Sequence, residues 1–153
     1  MLNACSSCNS ALPAGTRWCP ICLTNAINPQ FGRIASPSRR LGAYILDYLI
    51  VGIVALVGFG VGEPAVMSIL FLAYSIFALV LFAKGTTPGK KMLGLHVAKE
   101  NGEKAGFFIM LIREVIGKTI SGLLFGLGFL WIILDKESQG WHDKLMSTYV
   151  VRK

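Results

Sequence analysis

The fold class predicted by this sequence is an all-α integral membrane domain of three to four hydrophobic segments. It is preceded by a small four-cysteine module and carries a short cytoplasmic β element. Three observations lead there. Hydrophobic residues make up 54% of the 153 and charged residues only 15%, against ~45–50% and ~25% in soluble domains. Two apolar runs, residues 41–62 and 64–83, are each long enough at ~1.5 Å rise per residue to cross a hydrocarbon layer ~30 Å thick. All four cysteines fall before residue 23 and add nothing to that apolar body.

In chain order, residues 1–22 read as a polar module, 23–38 as a linker and 39–153 as the membrane domain. No apolar segment precedes Cys5, so no cleavable signal peptide is expected. Cys5-x-x-Cys8 and Cys19-x-x-Cys22 are two knuckles ten residues apart, and Pro13-Ala14-Gly15 supplies the turn that lets the chain double back. Each knuckle can present two thiolates to one tetrahedral metal. In a reducing cytoplasm such thiols are not expected to form disulfides. The stretch resembles a short zinc ribbon. That resemblance implies one structural Zn2+ on Cys5, Cys8, Cys19 and Cys22, with no open coordination position. Asn9 and Leu23 stand where glycine is usual after each knuckle. A cytoplasmic protein partner is expected to dock on the ribbon. Asn25, Asn28, Pro29, Gly32, Ser36, Pro37 and Ser38 are turn and breaker residues, which is why the next segment reads as a linker.

The first span, 41–62, has Arg39 and Arg40 at its mouth and Asp47 about two turns inside. A carboxylate at such a place costs ~2.5–3.5 kcal/mol on insertion scales, so Asp47 is a functional candidate unless a partner neutralises it. Arg40 shares its helical face but lies seven residues away, too far for direct contact. A cation from another segment is the better partner, Arg113 first and Lys118 second. Two roles stay open for Asp47: a buried ion pair that fixes packing, or a group that titrates or binds a cation during transport. Pro64 sits at the tolerated first position of the second span. The turn between the spans is tight, so they must form an antiparallel pair.

Charge sets the orientation. The net +7 is concentrated before the first span (Arg17, Arg33, Arg39, Arg40) and after the second (Lys84, Lys90, Lys91, Lys99, Lys104), with no cation at Gly62-Glu63-Pro64. The positive-inside rule places the N-terminus and the 84–104 loop in the cytoplasm. Because these cations flank membrane spans, the basic balance points to the lipid bilayer rather than to nucleic acid.

Within the loop, residues 93–98 look like a strand, Asn101-Gly102 is a hairpin signal, and 147–152 can pair with that strand. Residues 85–90 fail as a phosphate loop, with only three residues between Gly85 and Gly89 and Lys91 after Lys90. In the stretch 106–134, Arg113, Glu114 and Lys118 interrupt an apolar pattern. Residues 107–117 are either an interfacial helix before a short third span or the first of two short arms. The tail cations Lys136, Lys144, Arg152 and Lys153, together with the strand pairing, favour two arms and a cytoplasmic C-terminus. Gly122-x-x-x-Gly126 and Gly128 permit close helix approach. Phe107, Phe108, Trp131 and Trp141 suit interface anchoring. Asp143, beside His142, is read as tying the tail to the 87–94 loop.

Three ordered motifs bring a resemblance. Arg40-x-x-Ala43-x-x-x-Asp47 is followed by Thr87-Pro-Gly-Lys-Lys-Met-Leu-Gly94 with Leu95-His-Val97. Trp141-His-Asp143 then leads to Thr148-Tyr-Val-Val151. Over residues 39–152 the chain resembles the RDD family of membrane proteins, named for one arginine and two aspartates. The resemblance implies transport of ions or small solutes, with cation/proton exchange proposed for some relatives, or assembly of membrane complexes. The expected function is a multi-pass subunit of a cation- or proton-linked transporter. In that role Asp47 would titrate or bind the cation, Arg40 would set the field at its mouth, and Asp143 would hold the cytoplasmic gate. Three or four segments are few to enclose a path, so a homo-oligomer is expected. The alternative is a membrane scaffold whose ribbon docks a partner. No nucleophile and base converge, so an enzyme is not expected.

Overall fold

A computed structural model describes residues 4–117, 119–120, 127–135 and 137–152. Lys118, Gly122 and Gly126, which entered the reading above, lie outside them.

Helix α1 spans Pro37–Val61 and α2 spans Pro64–Ala83. The first begins four residues before the apolar run. Pro37 occupies the opening turn, where its missing N–H costs nothing, and Arg39 and Arg40 are good helix formers. It stops at Gly62, whose φ of 74° is left-handed and whose amide donates back to Phe59 O at 3.1 Å. Only Gly62 and Glu63 separate the helices, and they return as an antiparallel pair in which Met67 packs against Gly58. Among the described residues these are the two helices long and apolar enough to cross a membrane, and only 6% of each span is buried within the fold. Apolar side chains such as Ile53, Leu56, Phe59, Ile69 and Leu72 point outward. A soluble protein would hide them; here the surroundings must be apolar.

At the end of the pair where α1 starts and α2 stops, the chain builds a small sheet. Strand β1 is Arg33–Ile34, β2 is Leu95–Lys99 and β3 is Thr148–Arg152, in the order β1-β3-β2, with both pairings antiparallel. Leu95 faces Arg152 and Lys99 faces Thr148. The fold is mostly helical, with this small sheet as its β part. The expected β element exists, starts at Leu95 rather than Leu93, and gains a third strand. Short helices surround it: α3 (Pro88–Met92), α4 (Phe107–Ile112, running into a π-helical turn at Arg113–Gly117), α5 (Leu127–Leu134) and α6 (Trp141–Leu145).

The sheet is covered on both faces. Leu95, Val97 and Val150 pack with Ala35, Ala43, Ala105 and Met110. On the other face Ala98, Tyr149 and Val151 meet Trp18, Phe31 and Ile34. This overturns the linker reading of residues 23–38. The aromatic rings of Trp18, Phe31 and Tyr149 stand 5.3–6.4 Å apart, and Asn25 Oδ1 accepts the amides of Ile27 and Asn28, each at 2.9 Å. The physical reason is the sheet itself. Two strands with an apolar second face and a bare edge need cover, and Phe31 and Ile34 supply it among residues whose turn propensity conceals them.

Candidate functional site

Two sites emerge, and they are joined. The first is the cysteine centre. Its two knuckles repeat one backbone design: Cys5 N donates to Ser10 O and Asn9 N to Cys5 O, while Cys19 N donates to Thr24 O and Leu23 N to Cys19 O, all at 2.9–3.0 Å. Closing each turn requires a left-handed residue just after its second cysteine. Asn9 (φ 54°) and Leu23 (φ 60°) adopt it without being glycine. Leucine does so at a cost of ~1–2 kcal/mol. The four Sγ atoms all lie within 4.8 Å of one another, with Cys5–Cys22 and Cys8–Cys19 both at 3.6 Å. A metal bonded to four sulfurs at ~2.3 Å sets neighbouring sulfurs about 3.8 Å apart, so the set fits one tetrahedral ion. The thiols are not shifted alike: against the Ser7 amide, burial and the contacts with Cys22 and Cys8 raise Cys5 to about 11. The backbone amide of Cys22, aided by the Ser10 hydroxyl, pulls Cys19 down to about 6, and Thr24 lowers Cys22.

The second site is a buried charge cluster between the start of α1, the π-helical turn and α6. Asp143 is completely buried and Arg113 is 1% exposed. Asp143 Oδ2 accepts from Arg40 Nη1 at 2.8 Å and from the Gly140 amide at 3.2 Å. Its Oδ1 accepts from Arg113 Nε at 2.8 Å and from Arg113 Nη2. Arg113 Nη1 also donates to Glu114 Oε1 at 2.7 Å, and Lys90 Nζ reaches the same oxygen. Arg40 spends its remaining donors on backbone, Nε to Ala35 O at 3.2 Å and Nη2 to Val150 O at 3.3 Å. Burial alone would raise the Asp143 carboxyl. Arg113, His142 (protonated where the acid titrates) and Arg40 outweigh it and hold the group well below the usual carboxylate range. Burial pushes His142 down to about 4, against the pull of Asp143 and Glu114. The Cα and Cβ of His142 pack onto Gly117, where an added Cβ would stand 2.7 Å from His142 Cβ.

Asp47 is held differently. Its Oδ2 accepts from Thr87 Oγ1 and its Oδ1 from the Gly89 amide, both at 2.7 Å. Among the described residues it has no cationic partner. The expected Asp47–Arg113 pair is therefore corrected. The first turn of α3 offers α1 an amide and a hydroxyl, and Arg113 is directed to Asp143 and Glu114 instead. The expected tie from Asp143 to the 87–94 loop is corrected too. Asp47 makes that tie, while Asp143 fastens the tail to α1 and the π-helical turn. The fit at α3 is close, because a Cβ on Gly89 would fall 2.2 Å from Ala43 O.

The structure thus gathers Arg40, Arg113 and Asp143, leaves Asp47 on a separate anchor, and adds Lys90, Glu114 and Thr87. Two of the last three had weak signals: Thr87 before Pro88 is a capping pattern, and Glu114 adjoins Arg113. The two sites share the sheet. Thr24 bridges to Arg33, Ile34 N donates to Leu23 O, and Ala35 N donates to Val150 O. The second knuckle, β1 and the acceptors of Arg40 form one ladder.

Against known proteins, the pattern described as the RDD family matches residues 34–147. Uncharacterized protein YckC of Bacillus subtilis (strain 168) is 30% identical over 121 residues, covering 72% of this chain and 80% of that protein. Uncharacterized protein YxaI of the same organism is 32% identical over 95 residues, 59% of each. No solved structure matches.

Proposed function

Given that the chain belongs to the RDD family, we propose that it works as a membrane-embedded assembly module rather than as an enzyme. Its apolar helices associate laterally with a second copy or another membrane protein. Its N-terminal cysteine ribbon, holding a structural Zn2+, docks a partner on the cytoplasmic face. The observation that carries this reading is the state of the charged residues. Arg40, Arg113, Asp143, Glu114 and Lys90 are bonded to one another in a buried cluster, the arrangement of a packing lock. A transport group must exchange its partner during the cycle, whereas breaking a buried pair like this costs ~3–5 kcal/mol. The outward apolar faces of α1 and α2 supply the lateral surface. Ile21 at the tip of the second knuckle is 72% exposed and Ile27 is 71% exposed, which gives the ribbon an apolar contact point.

One observation favours cation- or proton-linked transport instead. Asp47 lies inside an apolar helix with only neutral donors among the described residues, so it is the one carboxylate of the site whose counter-ion is open. Reconstituted proteoliposomes separate the two readings. Assembly predicts no pH-gradient-driven cation flux in wild type or Asp47→Asn, together with a stoichiometric membrane complex that Ile21→Asp weakens. Flux in wild type that Asp47→Asn abolishes, with folding and oligomeric state unchanged, overturns assembly in favour of transport.

A further inference from the structure

Two lysines flank a backbone contact where α2 leaves the apolar layer. Lys84 caps the end of α2, and Lys104 lies three residues before the start of α4 at Phe107, with Ala105 and Gly106 between. Their chain neighbours touch: a Cβ on Gly85 would meet Ala105 O at 3.0 Å. Both are strung on Val97, whose amide donates to Gly85 O at 2.7 Å and whose carbonyl accepts from Ala105 N at 2.8 Å. Lys84 and Lys104 are exposed, and neither has an acidic partner among the described residues. Glu103, the nearest carboxylate in sequence, is engaged by Lys99 and Asn101. Beside them α4 packs on α2 and leaves Phe108 75% exposed. Two exposed lysines whose chain neighbours touch concentrate positive charge at this edge, and an exposed phenyl ring at the end of a span belongs at a membrane interface.

We propose that Lys84 and Lys104, with Phe108 beside them, form a seat for the phosphate headgroup of an anionic phospholipid. The proposal rests on the membrane reading above. It names a lipid rather than a free anion for two reasons. The lysines stand at the mouth of the Pro64–Ala83 helix, where headgroups lie. Phe108 needs apolar cover that acyl chains give and inorganic phosphate does not. Each lysine near an anionic surface raises affinity about five-fold, so the pair is worth roughly 30-fold.

The test uses the full chain in nanodiscs of equal parts phosphatidylcholine and phosphatidylglycerol, with retained lipid counted by native mass spectrometry. Wild type should retain phosphatidylglycerol preferentially, by roughly 30-fold for the tightest-held molecule. Lys84→Gln/Lys104→Gln should retain the two lipids evenly, whereas Lys84→Arg/Lys104→Arg should keep the preference, which identifies charge rather than misfolding as the cause. Arg33→Gln/Arg152→Gln, an equal charge loss at the paired ends of β1 and β3, should keep it too. Three results overturn the proposal: even retention by wild type, equal loss in both glutamine pairs, or displacement of the bound lipid by millimolar inorganic phosphate. A protein that does not stay in the nanodisc would instead refute the membrane reading itself.

Discussion

Gly89→Ala is the sharpest perturbation of the membrane-level anchor. The new Cβ would fall 2.2 Å from Ala43 O and 2.9 Å from Asp47 N. Both are backbone atoms of α1 that cannot rotate aside. Carbon and carbonyl oxygen come no closer than about 3.3 Å, so α3 must withdraw by roughly 1 Å. The two hydrogen bonds to Asp47 then lengthen from 2.7 Å to ~3.7 Å, beyond bonding range. Each is charge-assisted and contributes ~1.5–3 kcal/mol, so the loss is about 3–6 kcal/mol. At ~2–4 °C per kcal/mol for a domain of this size, the apparent Tm should fall on the order of 10 °C. The assay is tryptophan fluorescence of the protein in nanodiscs at one fixed heating rate, since such unfolding is kinetically controlled. Gly52→Ala, where nothing lies within 4 Å, is the control. A Gly89→Ala protein that melts with this control refutes the argument that α3 is keyed onto α1 through Asp47.

Three further outcomes follow from the other contacts. Removing metal with a chelator, or Cys8→Ser, should speed amide exchange at residues 24–35, because Leu23 and Thr24 pair with β1; unchanged exchange in β1 after metal loss would disprove the coupling. His142 packs neutral, its pKa moved from 6.5 to about 4 by burial, so its ~3 kcal/mol is present above pH 6.5 and lost as pH falls towards 4. The apparent Tm should therefore drop over that window in wild type and less in His142→Gln, and a flat wild-type profile contradicts this. Leu23→Gly relieves a left-handed leucine (φ 60°) and keeps both backbone bonds, so metal loss to a chelator should slow by up to about five-fold, ~1 kcal/mol; faster loss would show that the leucine side chain matters more than its backbone.

What could be read from the sequence follows the length of its signals. The α1–α2 hairpin rests on two runs of twenty or more apolar residues, and no competing structure buries them. The β2–β3 pairing rests on β-branched residues at 148–151 with a hairpin turn upstream. β1 was illegible because it is two residues long and lies among prolines, glycines and asparagines. Its stability comes from Phe31 and Ile34 meeting a face made a hundred residues later. Asp47's anchor was illegible for another reason. Its donors are a main-chain amide and a threonine hydroxyl, and a search for opposite charge cannot see an amide. Arg113 carries the opposite charge that Asp47 would need, yet it is buried and ion-paired through Asp143.

The ladder from knuckle to ion pair changes how the ribbon must be tested. Deleting residues 1–22 would remove Trp18 from the cluster with Phe31, Tyr149 and Val151, uncovering one face of the sheet. Ala35 and Val150, whose carbonyls hold Arg40, belong to that sheet and its approach. A truncated chain would thus weaken the Arg40–Asp143 lock even if the ribbon had no partner at all, and a loss of function on deletion could not be assigned to docking. Substitution at the exposed tip avoids this. Ile21 contributes no side chain to either buried cluster, so Ile21→Asp alters only what the ribbon shows to a partner. If Ile21→Asp releases a partner while the melting temperature and β1 exchange stay at wild-type values, the ribbon both clasps the membrane domain and docks. If neither changes, clasping is its whole role.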